Sequence, residues 1–87
     1  MKIINKPIEI IAWFTDAGQI KPIKFRIKDE EQLNRVFKVD KILTQNEEKL
    51  AGNRMLVFKC QSRADGLEKR YELKYEISTC RWFLFKI

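Results

Sequence analysis

Residues 21–43 read KPIKFRIKDEEQLNRVFKVDKIL, two alternating apolar and charged runs on either side of a short acidic insert. In an extended strand successive side chains point to opposite faces. In the first run Ile23, Phe25 and Ile27 therefore share one face while Lys24, Arg26 and Lys28 share the other. In the second, Phe37 and Val39 alternate with Lys38 and Asp40. The pattern predicts two half-buried antiparallel strands and selects an all-β fold. By itself it names no substrate and no reaction.

Working outward, PIEIIAWF (7–14) is rich in β-branched and aromatic residues, and Lys6 before Pro7 is pushed toward extended geometry, which predicts the first strand. Asp16-Ala17-Gly18 supplies a turn, so a second strand over about 19–28 folds back on the first. Pro22 cannot donate to a ladder and belongs near that strand's start or on an unpaired edge position. Asp29-Glu30-Glu31-Gln32 has the form of a helix start, with Asp29 as cap and Gln32 at the capping-box position, and about one turn can follow. A third strand then begins near Arg35 or Val36 and runs through Phe37 and Val39 to Leu43.

In TQNEEKLAG (44–52), cap candidates Thr44 and Asn46 and a stop at Gly52 admit either a short helix or a long polar loop. The fourth strand, about 53–62, is apolar on both parities. Asp65-Gly66 signals a hairpin, with a loop from Ser62 to Glu68 longer than the tightest two-residue type. Tyr71, Leu73, Tyr75 and Ile77 alternate with Arg70, Glu72, Lys74 and Glu76, which predicts a fifth strand with one core face and one solvent face. A sixth, Cys80–Ile87, follows the Ser78-Thr79 corner and is apolar on both parities. Six short strands joined by hairpin-length turns predict an all-β, six-stranded antiparallel meander closing into a small SH3-like barrel, with one or two short helical turns. No repeat, linker or low-complexity tract interrupts the chain, so one domain spanning 1–87 is expected.

Hydrophobic residues at 45% and charged residues at 34% match ordinary globular domains, which argues against disorder and against a fibre. Eighteen Lys and Arg against twelve Asp and Glu leave a net charge of +6, suited to an anionic partner or to solubility alone. The first residues lack the apolar run of a signal peptide, and no window approaches the length of a membrane helix, so a cytoplasmic protein without a membrane partner is expected. Cys60 and Cys80 lie far apart inside apolar runs and read as reduced, packed thiols, although their bonding to each other stays open at this level.

Catalysis finds little to work with. There is no histidine, no CxxC pair and neither a GxGxxG nor a GxxxxGK[ST] loop, which removes the commonest base, zinc or dithiol chemistry and the usual phosphate cradles. Glu30-Glu31 and Glu47-Glu48 read as solvated acidic residues rather than a catalytic dyad. The expectation is a non-enzyme with no cofactor, no metal and no catalytic residue.

The run KPIKFRIK, then VFKVDKIL, a polar loop ending in Gly, RMLVFKC, YELKY and a closing RWFLF resembles a group of short Firmicute proteins of uncharacterised function. That group's pattern is Pro-x-x-Phe, basic residues, a Tyr or Phe, Val-Asp-x-Ile/Val-Leu and a C-terminal Trp. The resemblance implies a small β-rich fold and no particular activity. DEEQLNR (29–35) is longer than the corresponding turn of that pattern.

Binding readings fare better. Residues 1–28 carry a net +4, residues 29–52 a net −2 and residues 53–87 a net +4. If the first, second and last strands share a face, Lys24, Arg26, Lys28, Arg81 and Lys86 form a basic strip, and Trp13 and Trp82 beside it suit stacking on single-stranded bases. Nucleic acid is therefore one candidate partner. Another protein is the alternative, taken up through exposed aromatics or an edge strand. Basic residues on exposed strands also guard sheet edges against aggregation, and the mixed signs of Arg70, Glu72, Lys74 and Glu76 suit cross-strand pairing better than a phosphate track. The acidic insert provides a test, since folding over Lys24, Arg26 and Lys28 would neutralise them.

Overall fold

In the computed structural model, which describes all 87 residues, the chain forms seven strands and no helix: β1 (Ile3–Phe14), β2 (Ile20–Lys28), β3 (Asn34–Lys38), β4 (Lys41–Leu50), β5 (Asn53–Ala64), β6 (Leu67–Glu76) and β7 (Arg81–Lys86). All neighbours pair antiparallel, in the order β3-β2-β1-β7-β6-β5-β4. The all-β antiparallel expectation holds, with seven strands in place of six and no helical turns.

Each difference has a local cause. At Asp29 the side chain does accept backbone amides, from Glu31 and Leu33 at 2.9 Å each. Gln32, however, sits at φ 64, a left-handed geometry that cannot propagate a helix, and Asp29 N–H donates back to Leu33 O. The insert is thus a hairpin loop between β2 and β3. Residues 44–50 are strand rather than helix or loop, because Gly52 (φ 84) is the second residue of a two-residue hairpin turn and not a helix stop. β4 pairs only with β5, and the polarity of TQNEE is what an edge strand carries. Asp65-Gly66, at φ 53 and 75, forms the same tight turn between Ala64 and Leu67, shorter than the expected loop.

Two strands change partner along their length, and this curls the sheet. β1 pairs with β7 from Ile3 to Ile8 and with β2 from Glu9 to Phe14. The expected third strand likewise breaks in two. Val39 N–H donates to Ile23 O at 2.8 Å, extending the β2–β3 ladder, and the next residue, Asp40, donates to Gln61 O at 3.1 Å, where the β4–β5 ladder begins. The chain thereby passes from one sheet edge to the other within two residues. A half-barrel results, with its two edges drawn together at Val39-Asp40.

The concave interior holds Phe25, Phe58, Cys60, Tyr71, Leu73, Tyr75, Trp82 and Leu84. Phe25 stacks on Phe37 at 5.3 Å and reaches across to Tyr71 at 5.5 Å, so β2 and β3 are tied to β6 through the core. Each such large apolar side chain contributes about 1.5–3 kcal/mol on burial. The seam is polar. Tyr71 OH hydrogen-bonds Ser62 Oγ, which donates to Lys38 O at 2.6 Å, and Arg63 N–H donates to Asp40 Oδ2 at 2.7 Å.

β6 departs from its expected one-sided burial, since Glu72 and Lys74 on its outer face are only 7% exposed. Lys74 lies under the Phe85 ring, its Nζ 3.6 Å from the centroid and 2.9 Å from Glu48 Oε2, while Lys86 approaches Glu72. Neighbouring aromatic and charged side chains of β4 and β7 thus cover a parity that alternation alone assigns to water. Both thiols are free, Cys60 buried and Cys80 exposed in a left-handed turn at φ 59. No helix is long and apolar enough to cross a membrane.

Candidate functional site

The outer face of β1, β2 and β3 is assembled by a bulge. Ile11 lies opposite Lys24 but Ala12 lies opposite Pro22, leaving Ile23 as the extra residue of β2. The bulge accommodates a proline that has no amide to donate, and Pro22 itself is buried. Directly opposed residues of an antiparallel pair share a face, so the register gives the outer rows. Trp13 faces Lys21. Ile11, Lys24 and Lys38 form the next row, then Glu9, Arg26 and Val36, and finally Lys28 and Asn34.

Successive outward residues of a strand are about 7 Å apart. Lys21, Lys24, Arg26 and Lys28 therefore run as a column of cations along β2, with Lys38 beside Lys24. Of these five, only Arg26 has an ion-pair partner, Glu9. The carboxylates of Asp29, Glu30 and Glu31 pair with none of them, so the insert does not neutralise the strip. Interleaved with the cations are apolar side chains exposed to solvent: Trp13 at 64%, Val36 at 63%, Ile11 at 57% and Ile23 at 37%. A shallow depression of about 340 Å³ lies on this face between Glu9, Ile11, Lys24 and Val36.

The sequence-derived set divides. Lys24, Arg26, Lys28 and Trp13 come together here. Arg81, Lys86 and Trp82 do not. Trp82 is a core residue, 6% exposed and packed on Phe58 at 5.4 Å and Tyr75 at 4.9 Å. Lys86 lies on the β6–β7 outer face, 3.8 Å from Glu72. Arg81 sits over Phe83 and opposite Glu76. Comparison with protein-family models, curated proteins and solved structures finds no match. Lys21 and Lys38 complete the face although sequence reasoning passed over them. The alternation of Lys38 with Phe37 and Val39 was the available signal, but it needed the β2–β3 register to become a neighbour of Lys24.

The remaining titratable chemistry is structural. Burial pushes the Cys60 thiol up to about 12 and the Tyr71 hydroxyl up to about 12, so both stay protonated and inert at neutral pH. A hydrogen bond with Cys80, then burial, raises Tyr75. Hydrogen bonds from Thr79 and then Asn53 hold the Glu76 carboxyl below its usual range. No three His, Cys, Asp or Glu side chains converge to hold a metal.

Proposed function

We propose that this chain is a non-catalytic binding module, a small barrel of the SH3-like kind, that takes nucleic-acid backbone along the outer face of β2. The observation that carries the proposal is the column Lys21, Lys24, Arg26 and Lys28 with Lys38 beside it, four of the five cations lacking a carboxylate partner. A row of like charges at strand spacing is costly to the fold by itself and is relieved by a ligand with anions in a line. Nucleic-acid backbone has that chemistry. Binding of labelled single- and double-stranded oligonucleotides across a salt series tests it, because affinity carried by phosphate contacts must fall as salt rises.

A second reading rests on the cleft where β1 and β7 part. Beyond the Ile8–Trp82 rung, β1 has a partner only on its β2 side. The opening, about 630 Å³, is lined by Ile10, Ala12 and Phe14 on one wall and by Tyr75, Cys80 and Arg81 on the other. An apolar slot along an unpaired strand edge suits an extended peptide. Protein interaction through this cleft predicts that Phe14→Lys, which puts a charge on its apolar wall, lowers affinity for a hydrophobic extended peptide, measured by fluorescence anisotropy, while a peptide bound equally well by both forms would overturn this reading.

A further inference from the structure

We infer that the β1–β2–β3 face selects single-stranded over double-stranded nucleic acid, stacking a base on Trp13 and holding a backbone phosphate between Lys24 and Lys38. This rests on the nucleic-acid proposal above and narrows it to one ligand form.

Lys24 and Lys38 lie directly opposite one another on adjacent strands, both exposed and neither paired with a carboxylate. Side chains so placed have Cβ atoms about 4.5–5.5 Å apart, close enough for two ammonium groups to share one phosphate. Without an anion the arrangement is repulsive. Trp13 stands two residues along β1 from Ile11, the residue opposite Lys24, and is therefore a diagonal neighbour of Lys24, with Lys38 one strand further away. Lys21 is directly opposite Trp13, and the two line a second shallow hollow together with Ile23 and Thr15. A base on the indole would thus have cations on two sides.

The apolar content of the face decides between ligand forms. A duplex keeps its base faces stacked inside and offers phosphates at its rim, which would satisfy the lysines but leave Trp13, Ile11 and Val36 facing water. A single strand offers both chemistries together, an anionic backbone and unstacked bases with apolar faces.

The test measures fluorescence anisotropy of labelled oligonucleotides of about 12 nucleotides, within the site sizes of small barrels, as single strand and as duplex at the same salt. The full chain is expected to bind the single strand at least about tenfold tighter, with loss of indole emission on binding. Trp13→Ala should weaken single-strand binding roughly 5- to 150-fold, the range for losing one base stack, and leave duplex binding unchanged. Trp13→Phe should restore most of the loss. Lys38→Glu, which replaces a like-charge pair by an opposite one and so keeps the fold, should flatten the single-strand salt slope by about 0.7, one phosphate contact. Equal or tighter duplex binding, with Trp13→Ala harmless, overturns this inference and leaves backbone binding standing. Failure to bind either form at low salt overturns both. Tighter binding to phosphatidylserine vesicles or to an acidic peptide than to the single strand also overturns it.

Discussion

Ser62→Ala is expected to open the seam of the half-barrel. Ser62 is 4% exposed, and its hydroxyl hydrogen-bonds the Tyr71 OH and donates to Lys38 O at 2.6 Å, so one atom links β6, β5 and the end of β3. Removing it leaves two groups without partners, and each unmet buried polar group costs about 1–3 kcal/mol. Because Lys38 is a surface residue its carbonyl falls at the low end, and the expected loss is about 2–4 kcal/mol. For a domain of this size that is a drop of roughly 10–30 °C in Tm. Tyr71→Phe keeps the Ser62–Lys38 bond and should cost only about 1 kcal/mol. In the double variant the two losses should fall short of adding, since the phenol orphaned by Ser62→Ala is then absent. Urea unfolding with an unchanged m-value measures all three. Amide exchange should quicken at Val39, Asp40 and Arg63, whose hydrogen bonds span the same seam. Loss of less than about 0.5 kcal/mol for Ser62→Ala, the range of a neutral surface change, would refute the assignment of this hydroxyl as the closure.

The two tryptophans should behave in opposite ways: Trp82→Ala, at 6% exposure, costs about 3–5 kcal/mol, whereas Trp13→Ala, at 64%, stays within about 0.5 kcal/mol, as urea unfolding will show. Ala51 holds φ 50 in a two-residue turn, a conformation that is strained for alanine and natural for asparagine. Ala51→Asn should therefore raise the urea midpoint, by up to about 1 kcal/mol of stability. On the alkaline side, Tyr71 and Cys60 are both raised in the fold to about 12, from ordinary values of 10.0 and 9.0. Above those ordinary values the unfolded chain releases protons that the fold retains, so stability is full below pH 9.0 and declines toward pH 12. Tyr71→Phe should remove the part of that decline that sets in above pH 10.0, measured by urea unfolding across the range.

Strand parity was the most legible feature of the chain. Phe25 against Lys24 and Arg26, and Tyr71, Leu73 and Tyr75 as a core row, follow from alternation and hold in the fold. What alternation cannot express is a partner change. Val39 and Asp40 continue the same extended pattern, yet one bonds β2 and the other β5, so a single expected strand became two. TQNEE concealed an edge strand because polarity is tolerated where one side lacks a neighbour. Parity alone points Lys74 to water, while its burial depends on Phe85 and Glu48, which other strands bring to it. The candidate face was half legible for the same reason. Lys24, Arg26 and Lys28 lie on one strand and could be grouped by spacing, whereas Lys38 and Trp13 join them only through register, and Trp82, a large ring with no exposed edge to betray it, belongs to the core.

The salt dependence of single-strand binding reports the phosphate contacts of the β1–β2–β3 face themselves. Four cations of the face, Lys21, Lys24, Lys28 and Lys38, have no carboxylate partner. With Lys24 and Lys38 sharing one phosphate, the four cations neutralise three, and at about 0.7 per phosphate log affinity should fall with log salt at a slope near −2. A slope close to zero, or no binding at low salt, would show that these cations do not carry nucleic-acid backbone.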